Sequence, residues 1–280
     1  MIAPGRGLGQ DGGVPAPGDD DVAFYTPLGT DGDRFHAGFA TTGPWFADAQ
    51  HGGPPAALLV RALERCDDRP GTQLGRVTVE VLGPIPAGEV RVTAAVERPG
   101  RAIALLAAEM SAGGRVVLRA RAWRLATGDT AAVAAGDAPP PAPPEAAEPR
   151  AGRPEGWLPG FLDAMEFRWV EGRLDAPGPG VAWVRQRLPL VAGEEPTPWQ
   201  RLALAADNAN GIGAALDIRH WLFVNTELTL HAHRVPAGEW IAVAASAVLG
   251  PTGMGTSTAL LFDAAGHVGR AAQQLIVRPR

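Results

Sequence analysis

Residues 79–90 read Val79-Glu80-Val81-Leu82-Gly83-Pro84-Ile85-Pro86-Ala87-Gly88-Glu89-Val90, and residues 228–240 repeat the pattern as Leu228-Thr229-Leu230-His231-Ala232-His233-Arg234-Val235-Pro236-Ala237-Gly238-Glu239-Trp240. Both combine alternating apolar residues with a Pro-Ala-Gly-Glu turn, and the two turns lie 150 residues apart. A helical segment that begins with proline and is rich in Ala and Leu precedes each one. A repeat of this length is typical of a duplicated domain. One copy can therefore keep the chemistry while the other diverges.

The composition is that of a globular protein with room for two domains of ordinary size. The chain has 280 residues, of which 46% are apolar and 20% charged, and its net charge of −5 argues against a nucleic-acid surface. The single cysteine, Cys66, excludes an internal disulfide framework. Residues 1–20 lack the basic start and apolar run of a signal peptide, and no apolar stretch is long enough to span a membrane. We therefore expect a cytoplasmic protein without a membrane or nucleic-acid partner.

A proline-rich segment separates the two copies of the repeat. Residues 131–147 consist largely of Ala and Pro, a composition that cannot form a core and is typical of a semi-extended linker. The predicted organisation is a flexible tail over residues 1–20, an N-terminal domain over 21–126, a linker over 127–156 and a C-terminal domain over 157–280. We expect the linker prolines to remain unpacked.

Each copy contains one strongly apolar helix followed by four strands. Proline is tolerated in the first turn of a helix, so Pro54-Pro55 and Pro198 mark the two starts, and the helices are predicted to end near Cys66 and Asn208. Both are apolar nearly all round, which indicates burial. Apolar alternation predicts strands over 76–82, 90–97, 103–111 and 116–125, then over 224–233, 240–249, 257–263 and 269–278, with further strands at 34–39 and within 167–188.

A buried helix followed by four antiparallel strands, present twice, indicates an α+β double hotdog, in which two antiparallel sheets each wrap around a central helix. Four motifs also carry a family resemblance by their order: Gly52-Gly53, Asp207-Asn208-Ala209-Asn210-Gly211, Asn225-Thr226-Glu227-Leu228-Thr229-Leu230-His231 and Gly269-Arg270-Ala271-Ala272-Gln273. With these motifs the chain resembles the double-hotdog acyl-CoA thioesterases related to bacterial acyl-CoA thioesterase II. The resemblance covers the chain after the tail, except for the linker. It implies hydrolysis of acyl-CoA to free acid and CoA, a role in lipid metabolism and no cofactor.

Polar residues of the second copy are candidates for catalysis. Asp207 ends an otherwise apolar helix, so its carboxylate is expected to be poorly solvated and suited to a general base, although Asp-Asn-Ala-Asn-Gly is also ordinary helix-ending sequence. Alternation predicts that Thr226 lies on the apolar face of its strand and Asn225 on the other. Asn225 is its rival for the positioning role that the resemblance implies. Gln273 is favoured over Gln274 by its distance from Gly269-Arg270 and from the chain end. The resemblance implies that Asp207, Thr226 and Gln273 hold a nucleophilic water.

Two further features are candidates for substrate binding. Gly52-Gly53 leads into a helix N-terminus, where free N–H groups suit a developing oxyanion, and the backbone N–H of Gly53 is the predicted donor. The neighbouring His51 could be a polar pocket residue, but a solvent-exposed loop histidine is the favoured interpretation. Arg98 and Arg101 flank a turn between two strands, and their guanidinium groups are candidates to bind the phosphates of CoA.

Other kinds of site find little support. The sequence has no Gly-x-Ser-x-Gly motif, no catalytic Cys/His pairing and no Gly-rich phosphate loop. His231 and His233 lack an evident third ligand, so no metal is expected. We predict an acyl-CoA thioesterase. The alternative is a non-hydrolytic acyl-thioester binding or regulatory protein, and a hydratase is less favoured because no buried His or paired acid is evident at Gly52-Gly53-Pro54. Whether two such chains pair into a homodimer stays open.

Overall fold

The structure, a computed structural model, describes residues 22–136, 138–149, 153, 155–174, 176–214 and 216–280, so the predicted tail over residues 1–20 lies outside the described residues. Within these ranges the chain forms fourteen strands: β1 (Tyr25–Pro27), β2 (Arg34–Ala37), β3 (Thr72–Val81), β4 (Gly88–Arg98), β5 (Ile103–Ala112), β6 (Arg115–Ala126), β7 (Glu148–Pro149), β8 (Met165–Glu171), β9 (Gly180–Gln186), β10 (Trp221–Asn225), β11 (Glu227–Ala232), β12 (Ile241–Leu249), β13 (Met254–Asp263) and β14 (Gly266–Pro279). The helices are α1 (Gly53–Cys66), α2 (Pro198–Ala206) and the single turn α3 (Ala209–Ile212). Short 3₁₀ turns occupy Phe39–Thr41, Ala131–Val133 and Pro144–Ala146.

The two predicted helices are present, and both begin with proline in their first turn. Helix α1 ends at Cys66 as predicted, whereas α2 ends at Ala206, two residues earlier than predicted. The strands predicted after each helix are also present, with one exception. The strand predicted over 224–233 is interrupted at Thr226, which lies between β10 and β11.

All the strands join into one sheet in the order β1-β2-β4-β5-β6-β3-β11-β14-β13-β12-β9-β8-β7, with β10 also paired to β14. The prediction of two separate sheets is therefore wrong. The sheets of the two copies are joined by β3 and β11, which pair antiparallel with Thr78 opposite Thr229. The Thr229 hydroxyl donates to Thr78 Oγ1 at 3.2 Å. This pairing satisfies strand edges that two separate sheets would leave open.

The helices lie against each other and against the inner face of this sheet. Helix α1 contacts α2, β4 and β5, and α2 contacts β9 and β12. Leu58 and Leu59 of α1 and Leu204 of α2 are almost completely buried, and they belong to one apolar cluster that includes residues from both copies. The burial of both helices, predicted from their composition, is confirmed. Because the core is shared, the C-terminus of each helix is brought close to the N-terminus of the other.

The Ala/Pro-rich segment packs on the second copy, contrary to expectation. Pro144 and Ala147 are buried, and β7 pairs with β8. The indole N–H of Trp183 donates to the carbonyl of Ala142 at 2.7 Å, since this buried polar group needs an acceptor. The division of the chain into two domains at the predicted boundaries stays a prediction.

Candidate active site

Asp207 follows α2 directly and lies where the end of that helix meets the start of α1. Its backbone N–H still donates to Ala203, so the residue continues the last helical turn. Asp207 is only 5% exposed, as expected for a carboxylate at the end of an apolar helix. A carboxylate in such a place must be hydrogen-bonded.

Three side chains surround the Asp207 carboxylate. The amide groups of Gln273 and Asn225 both donate to Oδ1, each at 3.1 Å. His51 Nδ1 lies 3.0 Å from Oδ2. The three partners come from different parts of the chain: His51 precedes α1, Asn225 ends β10 and Gln273 lies in β14. The carboxylate is thus held by groups from both copies of the repeat.

The Gln273 side chain is locked in one orientation. It is 2% exposed, and its Oε1 accepts from the backbone N–H of Asn210 at 3.0 Å, which leaves Nε2 to donate to Asp207. Asn210 is fixed in turn, because its Nδ2 donates to the carbonyl of Phe223 at 2.7 Å. The neighbouring Gln274 donates instead to Gly255 at 2.9 Å. Of the two glutamines, the structure therefore brings Gln273 to Asp207, as the sequence analysis favoured.

Asn225, and not Thr226, reaches Asp207. The prediction that Thr226 faces the helices is wrong, because its side chain is exposed and its hydroxyl donates to the carbonyl of Gln274 at 3.3 Å. The reason is a bulge. Asn225 pairs with Leu275 and Thr229 with Ala272, so the chain advances four residues from β10 to β11 while β14 advances three. The extra residue reverses the alternation, which turns Asn225 inward.

His51 is largely enclosed, although the sequence analysis expected an exposed loop residue. Its side chain is 12% exposed, and its ring stacks on Phe161 with centroids 3.9 Å apart and planes 13° from parallel. The ring is therefore fixed on one face by Phe161 and at one edge by Asp207. The signal that could have found it is its position immediately before two glycines, which mark a close approach of chain segments.

The glycine pair makes room for this contact. A Cβ on Gly52 would lie 2.8 Å from Oδ2 and 3.0 Å from Oδ1 of Asp207, and a Cβ on Gly53 would lie 3.1 Å from the carbonyl of Leu204. The carboxylate thus rests against the N-terminal turn of α1, whose partial positive charge favours an anion. The Gly53 N–H, the predicted oxyanion donor, is directed at His51 Nδ1 at 3.1 Å.

A cavity of about 510 Å³ opens beside this cluster. Asp207, His51, Gly52, Asn225 and Thr226 line it, while most of its wall is apolar, with Trp45, Trp157, Ile85, Leu162, Phe167, Leu174, Ile212 and Val224 among the lining residues. The volume and the few convergent polar groups are those of a small-molecule site. A chain-like apolar group would be covered by these walls, with its polar end at Asp207.

The two arginines predicted to bind phosphate lie elsewhere. Arg98 and Arg101 are exposed near the β4–β5 turn, where Arg98 Nη1 donates to the carbonyl of Ile103 at 3.4 Å. Neither arginine is among the described residues that line the cavity. Arg278, in β14, does line the cavity and is exposed. Sequence reasoning missed it because nothing local distinguishes it from other surface arginines.

Within the described ranges the chain has neither a candidate metal site nor a candidate membrane-spanning helix. There, no group of three or more His, Cys, Asp or Glu side chains could hold a metal ion. No helix of the described chain combines the length and the apolar character needed to cross a bilayer.

Family comparison matches both halves of the chain. The profile of the acyl-CoA thioesterase C-terminal domain matches residues 136–277, and that of the N-terminal domain matches residues 41–125. The chain belongs to the acyl-CoA thioesterase family. A search of curated proteins gave no match.

Solved structures show the same fold for this thioesterase-family chain. A hotdog-fold protein from Alicyclobacillus acidocaldarius has a TM-score of 0.71 at 18% identity, covering 93% of this chain and 97% of its own. The tesB protein of Mycobacterium avium subs paratuberculosis has a TM-score of 0.64 at 15% identity, covering 88% and 94%. An acyl-CoA thioesterase II from Mycobacterium marinum has a TM-score of 0.59 at 18% identity, covering 76% of this chain and 83% of its own. The fold is therefore hotdog-like, with the two units joined in one sheet.

Proposed function

We propose that this protein hydrolyses acyl-CoA thioesters with a water molecule activated at Asp207. The observation that carries the proposal is the position of this carboxylate, which is buried, fixed by three side chains and set in the wall of an apolar cavity. An apolar cavity suits an acyl chain, and a fixed carboxylate at its wall suits the activation of water.

The reaction needs one nucleophile and one proton acceptor. Water attacks the thioester carbon while one of its protons passes to the contacting pair of Asp207 and His51. The tetrahedral intermediate then expels the CoA sulfur, which receives the proton. Asn225 takes the positioning role first assigned to Thr226, because it donates to Asp207 as Gln273 does. Both amides fix the carboxylate and thereby the path of the water.

The oxyanion of the intermediate needs N–H donors at the carbonyl. Gly52 lines the cavity at the start of α1, and its N–H has no acceptor among the described residues. We assign the oxyanion contact to this group and not to Gly53, which is not among the described residues that line the cavity. The positive end of α1 would favour the developing charge. The exposed guanidinium of Arg278 on the cavity wall is our candidate for a contact to CoA phosphate.

The test is thiol release from a series of straight-chain acyl-CoAs, from acetyl to palmitoyl, followed with a thiol-reactive dye. The full chain should release thiol, and Asp207→Asn should not do so at a comparable rate. Binding of a thioether analogue of acyl-CoA, measured by calorimetry, should be similar in both. A parent protein that binds the analogue but releases no thiol would support the non-hydrolytic binding protein instead. Cytoplasmic location and pairing of two chains stay predictions.

A further inference from the structure

One titratable side chain in this cluster has no role in the sequence-based scheme. His51 contacts the Asp207 carboxylate, with Nδ1 at 3.0 Å from Oδ2. Phe161 stacks against the ring at 3.9 Å. The imidazole is therefore held in one plane and at one edge, while the residue also lines the cavity. A histidine fixed in this way is better placed for proton transfer than a mobile loop residue.

The hydrogen-bond pattern decides which ring nitrogen is free. Nδ1 has two neighbours, the Asp207 carboxylate at 3.0 Å and the Gly53 N–H at 3.1 Å, and it cannot donate to one while accepting from the other. A charge-assisted bond to a carboxylate is the stronger of the two, so the proton resides on Nδ1 and points at Asp207. Nε2 then carries the lone pair. In the described chain, Nε2 has no hydrogen-bond partner.

Asp207, by contrast, already has three side-chain partners. Its Oδ1 accepts from Asn225 and Gln273, and its Oδ2 accepts from His51. A buried carboxylate that orients an imidazole through Nδ1–H is the arrangement by which an acid supports a histidine base, holding the tautomer and stabilising the imidazolium that forms. Geometry thus divides the work between an orienting carboxylate and a proton-accepting ring.

We propose that His51 Nε2, supported by Asp207, is the group that accepts the proton of the attacking water. This inference rests on the proposed thioester hydrolysis. The water oxygen forms a bond to the carbonyl carbon while one of its protons passes to Nε2. The intermediate then collapses, the C–S bond breaks, and the imidazolium returns its proton to the departing sulfur as CoA thiol. Acid and free thiol result, and the ring ends neutral as it began.

The decisive variant is His51→Asn, because the asparagine Nδ2 can take the place of Nδ1 as donor to Asp207 while no group replaces Nε2. We expect kcat for acyl-CoA to fall by roughly 10²–10³-fold. The KM and the affinity for a thioether analogue should change little.

A structural role would give a different result. Turnover of His51→Asn close to the parent's would overturn the assignment of His51 alone. Absence of thiol release from the parent would overturn both this inference and the proposed function. If His51→Asn does not fold, His51→Gln serves in its place, with melting temperature and analogue binding as checks on the fold. The same fall in kcat is then expected.

Discussion

The duplication places a carboxylate at the end of each buried helix, and the two ends have become different. Glu64, near the end of α1, meets the start of α2, where it accepts from the Thr197 hydroxyl at 2.8 and 2.9 Å and from Gln200 at 3.1 Å. Asp207, after α2, meets the start of α1 at Gly52. The pseudo-symmetric arrangement follows from two helices that pack against each other in one core.

The sheet partners correspond as well. Arg124 in β6 donates to the main-chain carbonyl of Glu64 at 2.9 Å, and Gln273 in β14 donates to that of Asp207 at 3.3 Å. Arg124 is buried and carries a fixed charge, whereas Gln273 is a neutral amide. At the first end, the arginine therefore attracts the carboxylate electrostatically. At the second end, no such guanidinium is found among the described neighbours of Asp207.

The cap residues complete the difference. Thr197 caps α2 and covers Glu64 with its hydroxyl, so the carboxylate works as a link between helices. Gly52 has no side chain, and Asp207 remains open to the cavity. One duplicated position thus serves structure and the other is available for chemistry. The two helix ends thus differ in two corresponding positions: Thr197 corresponds to Gly52, and Arg124 corresponds to Gln273.

The largest effect should come from neutralising the two carboxylates separately. Asp207→Asn preserves shape but removes the charge that supports proton transfer, so we expect turnover of acyl-CoA to fall by roughly 10²–10⁴-fold. Glu64→Gln is the matched control, since it makes the same change at the structural end. Its turnover should equal the parent's within error. A comparable fall in Glu64→Gln would show that the two ends do not differ in function.

A smaller effect is expected from the caps. Gly52→Ala places a Cβ within 2.8 to 3.0 Å of the Asp207 oxygens, so the carboxylate must shift, and a displacement near 1 Å at a catalytic group costs roughly 10²-fold in rate. Thr197→Ala should instead lower the free energy of unfolding by about 1 kcal/mol, through loss of the cap, and leave kcat unchanged. Kinetics and urea unfolding on both variants separate these outcomes. Full activity in Gly52→Ala would contradict the close contact.

The amides should matter less individually. Asn225→Ala and Gln273→Ala each remove one donor to Oδ1, and we expect each to reduce kcat by roughly tenfold, the scale of one modest hydrogen bond. The double variant should lose less than the product of the two, because both hold the same oxygen. Thr226→Ala should reduce kcat less than Asn225→Ala, because the Thr226 hydroxyl donates to the carbonyl of Gln274 and not to Asp207. Loss of activity in Thr226→Ala but not in Asn225→Ala would contradict the assignment of Asn225 as the residue that positions Asp207.

Much of this arrangement could be predicted from local patterns. The start of α1 follows from its prolines and the burial of both helices from their apolar composition, which each segment carries in its own sequence. The grouping of Asp207 with Gln273 was implied by the family resemblance and not by any local pattern. Such patterns report the face on which a residue lies only while the alternation continues. They predict contacts between elements only where the fold is already known.

What could not be predicted depends on pairing. The bulge at Thr226 is visible only in the register of β10 and β11 against β14, so alternation predicted the inward position for Thr226 instead of Asn225. The joining of the two sheets depends on β3 meeting β11, and alternation within a strand says nothing about its neighbour. His51 is brought to Asp207 by the contact of two helices distant in sequence. Long-range contacts decided each of these cases.

The smallest effect concerns the pH dependence of stability at the structural end. Burial raises the pKa of the Glu64 carboxyl above its ordinary value of 4.5, and hydrogen bonds from Thr197 and Gln200 only partly offset the shift. Because the folded pKa is raised, the contribution of Glu64 to stability is fully present below the unfolded value and is lost as pH rises through the folded one.

Glu64→Gln removes this loss, since the amide does not ionise. The melting temperature of the variant, measured relative to the parent's, should therefore increase from about pH 4 to about pH 7, by a few degrees at most for a chain of this size. Other groups titrate alike in both proteins, so the difference isolates Glu64. The melting temperature of Thr197→Ala should fall more steeply than the parent's over the same pH range, because this variant lacks one hydrogen-bond donor that favours the ionised form of Glu64. The difference in melting temperature between Glu64→Gln and the parent could instead stay constant or decrease over this range. That result would mean that folding does not disfavour the ionised form of Glu64, and the role of this helix end as a structural link would need another explanation.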